Sequence, residues 1–276
     1  RSFAMAASEL HLTASAVSHQ VARLERHLGV RLFERSAHGV SLSTAGERYL
    51  MRVGGALASI GAATDDLRQG VRNSLYLHSS PSFASLWLMP RLAGFAQAHP
   101  EIALNLSAAH TPSDFALGQA DIDIRYGVPQ WPDLEVEPVF EERVLPLASP
   151  AFVRRHRLKR PDGLSKVPLI QSTVSIVQWS DWFSLYTGGR APDRFALRFD
   201  RAQLALDAAT QGLGVALESA TIAARHIGEG KLTAIFGFEQ SVNVRAHFMV
   251  YPARHANRPP VAALLEWLRK QALKTN

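Results

Sequence analysis

Leu10–Arg35 reads LHLTASAVSHQVARLERHLGVRLFER, and two different surfaces run along it. Val17, Val21, Leu24 and Leu28 recur at spacings of four, three and four, which makes one apolar stripe on a helix. Thr13 is placed to cap that helix, because its hydroxyl can accept from a first-turn amide, and Gly29 is placed to stop it. The opposite side carries Ser15, His19, Ala22 and Arg26, flanked by Ser18 and Arg23. Small residues let a backbone approach a duplex closely. Ser, His and Gln bond base edges, and Arg neutralises phosphate. The same pattern also describes an amphipathic surface helix with a solvated polar side, and periodicity alone leaves both readings open.

The flanks add to this. Phe3–Leu10, FAMAASEL, reads as a short Ala-rich helix, and a three-residue link to the capped helix gives helix-turn-helix spacing. After Val30–Arg35 comes SAHGVSLSTAG, a short basic turn and a strand, the layout of a wing whose Arg35 and His38 lie in reach of phosphates. Thr44 opens TAGE, a capping box with Glu47 in third place. Residues 45–71 then read as one helix of about 40 Å at 1.5 Å per residue. Along it Tyr49, Val53, Ala56, Ile60, Ala63, Leu67 and Gly70 follow the four-and-three alternation of a coiled-coil seam. Such a stripe needs a second helix, and another copy of the same chain is the economical source. Gly54 and Gly55 weaken it by roughly 1 kcal/mol each relative to Ala.

The bulk numbers bound the rest. A chain of 276 residues with 47% hydrophobic and 20% charged residues has room for two or three globular domains. A formal charge of +6 and a pI near 10.0 suit an anionic partner, nucleic acid or an acidic membrane surface. The sequence has no Cys, which removes disulfides, thiolate metal sites and cysteine nucleophiles and suits the reducing cytoplasm. No apolar stretch approaches the roughly 20 residues of a bilayer span, so no membrane partner is expected.

From Asn73 onward, apolar or β-branched runs alternate with helical ones, the signature of α/β layers. Strands are expected near Leu75–Ser80, Ile122–Tyr126, Val144–Ala148, Val167–Gln171 and Val215–Glu218, and helices near Phe83–Ala98, Ala202–Gln211, Thr221–Glu229 and Pro260–Leu273. No nucleophile elbow, phosphate loop, zinc-protease helix or dinucleotide fingerprint occurs. The eleven His are scattered, with no metal-ligand spacing. No catalytic residue, metal or cofactor is therefore expected. What remains is a layout for binding. LHSSPSF ends a strand with hydroxyls and opens a helix, so Ser80 and Ser82 are candidate contacts to an anionic group, Ser82 equally a plain helix cap. DIDIRY ends at Gly127 and offers Tyr126, since ligands in open α/β sheets sit outside the carboxyl ends of strands. Ser172 and Thr173 follow LIQ, and Arg201 is the cation expected to pair with a ligand carboxylate.

The run LTASAVSHQVARLERHLGVRLFERSAHGVSLSTAGERYL resembles the DNA-binding signature of the LysR-type transcriptional regulators, and PSFASLWLMPRLAGFAQAHPEIAL with DIDIRYG resembles the branch of glycine-cleavage activators and β-lactamase-inducing regulators. The resemblance spans essentially the whole chain. It implies a multidomain α/β fold: a winged helix-turn-helix (1–44), a linker and dimerisation helix (45–72), and a two-lobed periplasmic-binding-protein-like, Rossmann-like effector domain (73–276). Lobe I is expected at 73–145 with 246–276, and lobe II at 146–245. The DNA contacts implied are Thr13, Ala14, Ser15, Ser18, His19, Arg23, Arg35 and His38, and the effector contacts Ser80, Ser82, Tyr126, Thr173 and Arg201. The implied partners are double-stranded DNA, a small-molecule effector (amino acids and muropeptides are known in this branch), RNA polymerase, and further copies of the chain in a homodimer or homotetramer. Two departures stand out. The sequence begins inside the second helix of the family's winged domain, and Ala14 stands where many members have Gln, which puts direct base contact there in doubt. A transport-type binding protein shares the two-lobed fold but gives no reason for a coiled-coil helix. An enzyme would need a nucleophile–base pair, which the sequence does not supply.

Overall fold

The computed structural model describes residues 2–36, 39–69 and 73–275. It divides into two compact units, Arg1–Gly70 and Val71–Asn276.

In the first unit, α1 (Phe3–Glu9) and α2 (Ala14–Leu28) precede a hairpin of β1 (Phe33–Ser36) and β2 (Gly39–Leu42), followed by α3 (Thr44–Gln69). The Thr13 hydroxyl accepts from Ala16 N at 3.1 Å, and Gly29 ends the helix at φ 68°, a backbone region that favours glycine. Glu25 ties helix to hairpin, its carboxylate accepting from the amides of Leu32 (2.7 Å) and Phe33 (3.0 Å). Val17, Val21 and Leu24 are half-buried, but Leu28 is exposed, because the helix stops one residue later and no neighbour covers that position. The start of the long helix lies one residue earlier than TAGE suggests. Ser43 is the capping residue, its hydroxyl accepting from Gly46 N and donating to Arg31 O, so the expected Thr44–Glu47 box does not form. Gly46 is buried under the hairpin, and any side chain there would collide with the Leu32 carbonyl. Leu50, Met51, Leu57 and Ile60 on α3 are exposed, so this helix carries uncovered apolar surface. Gly70, at the end of the expected seam, lies outside the described residues.

The second unit opens with β3 (Ser74–Ser79) and a helix in three parts: α4 (Pro81–Phe83), a π turn (Ala84–Leu88) and α5 (Met89–Ala98). Pro90 supplies the reason for the π turn. It has no N–H and its ring crowds the preceding turn, so the helix widens just before it. The chain continues through β4 (Ala103–Ala108), β5 (Ile122–Tyr126), β6 (Glu135–Pro138), β7 (Glu142–Ala148), α6 (Pro150–His156), β8 (Leu169–Ser172), α7 (Trp179–Thr187), β9 (Leu197–Phe199), α8 (Ala202–Thr210), β10 (Val215–Ser219), α9 (Ala224–Gly228), β11 (Thr233–Ala234), β12 (Val242–Val244), β13 (His247–Tyr251) and α10 (Pro259–Leu273). The helix expected over Thr221–Glu229 is confined to α9, and β12 falls where no strand is expected.

Two sheets result. One runs β4-β3-β5-β13-β6; the other runs β11-β7-β10-β8-β9, with β12 also on β7. The strands β4, β3 and β5 are parallel, as are β10, β8 and β9, while β13 and β7 are antiparallel returns. The chain therefore changes sheets between β6 and β7 and again between β12 and β13. The first crossing corrects the expected lobe boundary at 145/146. Glu142–Ala148 is one strand of lobe II, and Pro146 sits inside it without breaking it, because its carbonyl is what the ladder uses, accepting from Ile235 N at 3.2 Å. Phe83, Trp87, Phe140 and His247 stack together where the lobes meet, with Phe83 4.8 Å from Trp87 and 4.9 Å from His247 between ring centroids.

Candidate functional site: an exposed helix and an interlobe cleft

On α2, Ala14, Ser15, His19, Ala22, Arg23 and Arg26 are exposed, and Ser18 is half-buried. No residue of this helix is buried. The polar side of α2 thus faces outward, as the sequence pattern requires. Thr13 is committed to its cap. Arg35 lies in β1 opposite Val40, and His38 lies outside the described residues.

The second site is a narrow cleft of about 50 Å³ between the two sheets. It lies at the carboxyl ends of the parallel strands, where amides and side chains point away from the sheet. Ser80 follows β3, Tyr126 ends β5, Ser172 ends β8, and Glu218–Ser219 end β10. The antiparallel returns contribute their first residues instead, Glu142 from β7 and His247 from β13.

Three of the five sequence candidates meet here: Ser80, Ser82 and Tyr126. Ser80 stands at the N-cap of α4 without a capping bond, and its buried hydroxyl has no hydrogen-bond partner. Ser82 is no helix cap. Its hydroxyl accepts from Gln203 N at 3.1 Å, a bond from one lobe to the other. Tyr126 also crosses, its oxygen accepting from Ile176 N at 3.1 Å. Burial, chiefly, pushes the Tyr126 phenol up to about 12.

Thr173 and Arg201 do not line the cleft. Side chains alternate along a strand, so with Ser172 turned inward Thr173 turns to the other side, where its hydroxyl donates to Phe199 O at 3.1 Å. Arg201 precedes α8 with its guanidinium in solvent, 3.7 Å from Asp200. A cation beside a surface carboxylate has no reason to enter a cleft. The other charges of DIDIRY are structural. Asp121 pairs with Arg258, and Asp123 accepts from Arg125 Nε at 3.0 Å and from the Ser113 amide and hydroxyl at 2.9 Å each.

Sequence reasoning missed Glu142, Glu218 and His247. Glu142 and His247 form a buried pair, Oε1 to Nδ1 2.8 Å. Burial alone would raise the Glu142 carboxyl. The charge and hydrogen bond of His247, with Ser219, outweigh it and hold the group below its ordinary value. Glu218 has no such partner, and burial pushes it up to about 8, opposed by the nearby Ser172 hydroxyl and reinforced by the Glu142 charge. The available signal was VALES itself, a lone carboxylate at the end of an apolar strand.

Comparison with known families decides the class of molecule. The model of the bacterial regulatory helix-turn-helix protein, lysR family, matches residues 1–47, and that of the LysR substrate binding domain matches residues 68–273. The chain belongs to the LysR family of transcriptional regulators. Among its relatives, an uncharacterized HTH-type transcriptional regulator of Sinorhizobium fredii is 39% identical over 98% of this chain and 90% of its own length. The glycine cleavage system transcriptional activator of Escherichia coli is 31% identical over 98% of this chain and 89% of its own length. In structure, the effector domain of the transcriptional regulator AmpR of Pseudomonas aeruginosa covers 73% of this chain and 96% of its own, at 28% identity and a TM-score of 0.64. This LysR-family chain is thus a DNA-binding regulator with an effector-binding domain, in the branch its sequence resembles. No helix among the described residues is long and apolar enough to cross a membrane.

Proposed function

We propose that this LysR-family regulator reads DNA with α2 and senses a small molecule in the interlobe cleft. The outward-facing polar side of α2 is the observation that carries the DNA reading: Ser15, Ser18 and His19 meet base edges in the major groove, and Arg23 meets phosphate. Ala14 makes at most an apolar contact, and Arg35 with His38 serves the wing. Pairing of α3 with its copy covers Leu57 and Ile60 and gives a dimer, and the effector domains pair further into a tetramer. The protein works in the cytoplasm, with RNA polymerase as a further partner.

The cleft supports the sensing role because its walls are joined by few bonds, Ser82 to Gln203 and Tyr126 to Ile176 among them. A molecule that replaces or strengthens such bonds favours one arrangement of the lobes over another, which is what a population shift requires. Ser80, Ser82 and Tyr126 are the contacts carried over from the sequence, and Ser172 takes the place of Thr173.

His19→Ala and Ser18→Ala are each expected to weaken operator binding by about 1–3 kcal/mol, the worth of a good bond to a base edge. Arg23→Ala is expected to weaken all sequences alike and to flatten the salt dependence by about one phosphate neutralised. Gel shifts on genome-selected DNA across a salt series measure both. Unchanged binding in all three variants would refute the assignment of α2.

A further inference from the structure

The buried ionisable groups lining the cleft are two carboxyls and one imidazole. Glu142 and Glu218 supply two carboxyl groups, and the buried cationic partner available, His247, is engaged with Glu142. Arg201 points to solvent and Arg125 is held by Asp123. Glu218 is only 6% exposed and its Oε1 has no hydrogen-bond partner; Ser172 is 5% exposed and its Oγ makes no hydrogen bond of ordinary geometry. Buried polar atoms left unsatisfied are costly, and these two line the space that a ligand would enter. Val144, Val174 and Ile222 supply apolar wall beside them.

We infer that the molecule taken by this cleft carries a protonated nitrogen, an ammonium or amidinium, which donates to the Glu218 carboxylate and the Ser172 hydroxyl while a short apolar body rests on Val144, Val174 and Ile222. This rests on the effector reading of the cleft and adds the charge of the ligand to it. It also reverses the sequence-based expectation of an anionic group paired with Arg201. A metal ion is a poor alternative, since among the described residues no three His, Cys, Asp or Glu side chains converge on a metal position.

Burial holds the Glu218 carboxyl protonated up to about pH 8. A bound ammonium group favours the ionised form, so binding at neutral pH expels a proton. The other titratable groups facing the cleft are Glu142, His247, Tyr126 and, at its exposed rim, His110.

The test uses the full chain with butylamine and putrescine as probes, against butyrate and succinate as anions of similar size. Thermal shift and calorimetry in buffers of different ionisation enthalpy give affinity and proton release. The amines are expected to stabilise saturably, release a proton, and bind up to about tenfold more tightly for each pH unit between 6 and 8. Glu218→Gln should weaken them at least about tenfold. Ser172→Ala should weaken them severalfold and stands in if the first variant does not fold. Stabilisation by the anions in place of the amines would overturn the charge assignment while leaving the cleft as effector site. Stabilisation by neither series would remove the effector reading as well. Amine binding untouched by both substitutions would overturn the inference by placing the amines elsewhere.

Discussion

Asp123→Ala is expected to destabilise the effector-binding domain by on the order of 3–5 kcal/mol, the cost of leaving a buried charge without its partner. Asp123 is 1% exposed and holds three donors at once: Arg125 Nε and both the amide and hydroxyl of Ser113. Its removal leaves the Arg125 side chain, 9% exposed, with no carboxylate, although Arg125 still donates to Ser113 O and lies over the rings of Phe115 and Trp131. The loop bearing Ser113 also carries His110 to the rim of the cleft, so ligand binding should weaken together with stability. Asp123→Asn keeps an acceptor and should recover part of the loss. Urea unfolding followed by tryptophan fluorescence isolates this domain, since all five Trp lie in it. A loss below about 1 kcal/mol would mean that the network is worth no more than an exposed ion pair.

Glu218→Gln should do the opposite, and by an amount that depends on pH. The Glu218 carboxyl titrates near its ordinary value in the unfolded chain and at about 8 in the folded one. The stability belonging to the protonated form is therefore fully present below about pH 4.5 and is lost as pH rises through 8, at up to about 1.4 kcal/mol per unit. Gln holds the neutral form at every pH. The variant should match the parent near pH 4.5 and exceed it by on the order of 5 kcal/mol at pH 8.5, with little further gain above. The same fluorescence-detected unfolding, run from pH 4.5 to 9, gives the difference. A gap constant across that range would show that Glu218 ionises alike in both states.

The helix and the cleft differ in how far a sequence reveals them. Thr13, Gly29 and the polar side of α2 follow from spacing along one helix, and they hold in the structure because each depends on neighbours within a few residues. Tyr126 is also legible, at the end of an alternating strand. The choice of Thr173 over Ser172 fails on a single step of pleat parity, which a strand end read to within a few residues does not settle. Arg201 fails because the aspartate beside it in the chain is the carboxylate it meets. Glu142 and His247 meet only because the chain changes sheets just before β7 and just before β13, and Glu218 joins them because β10 pairs β7. Their partners are distant in sequence (Glu142 and His247 lie on opposite crossings), and no local pattern announces that. The lobe boundary shifts for a related reason. Val144–Ala148 is legible as a strand, but the sheet that takes it is set by its pairing with β10, roughly seventy residues away.

The account stands on α2 lying in the major groove, and the absence of Cys permits a direct measurement. Ala22 is exposed on the polar side of α2, and Ala22→Cys provides a unique attachment point for an iron chelate that cleaves nearby DNA backbone. Bound to operator fragments, the labelled full-length protein should cut at two positions spaced by about one helical turn or a multiple of it, across the major groove. Tight binding with no cleavage above that of free chelate would place α2 away from the duplex and contradict the assignment.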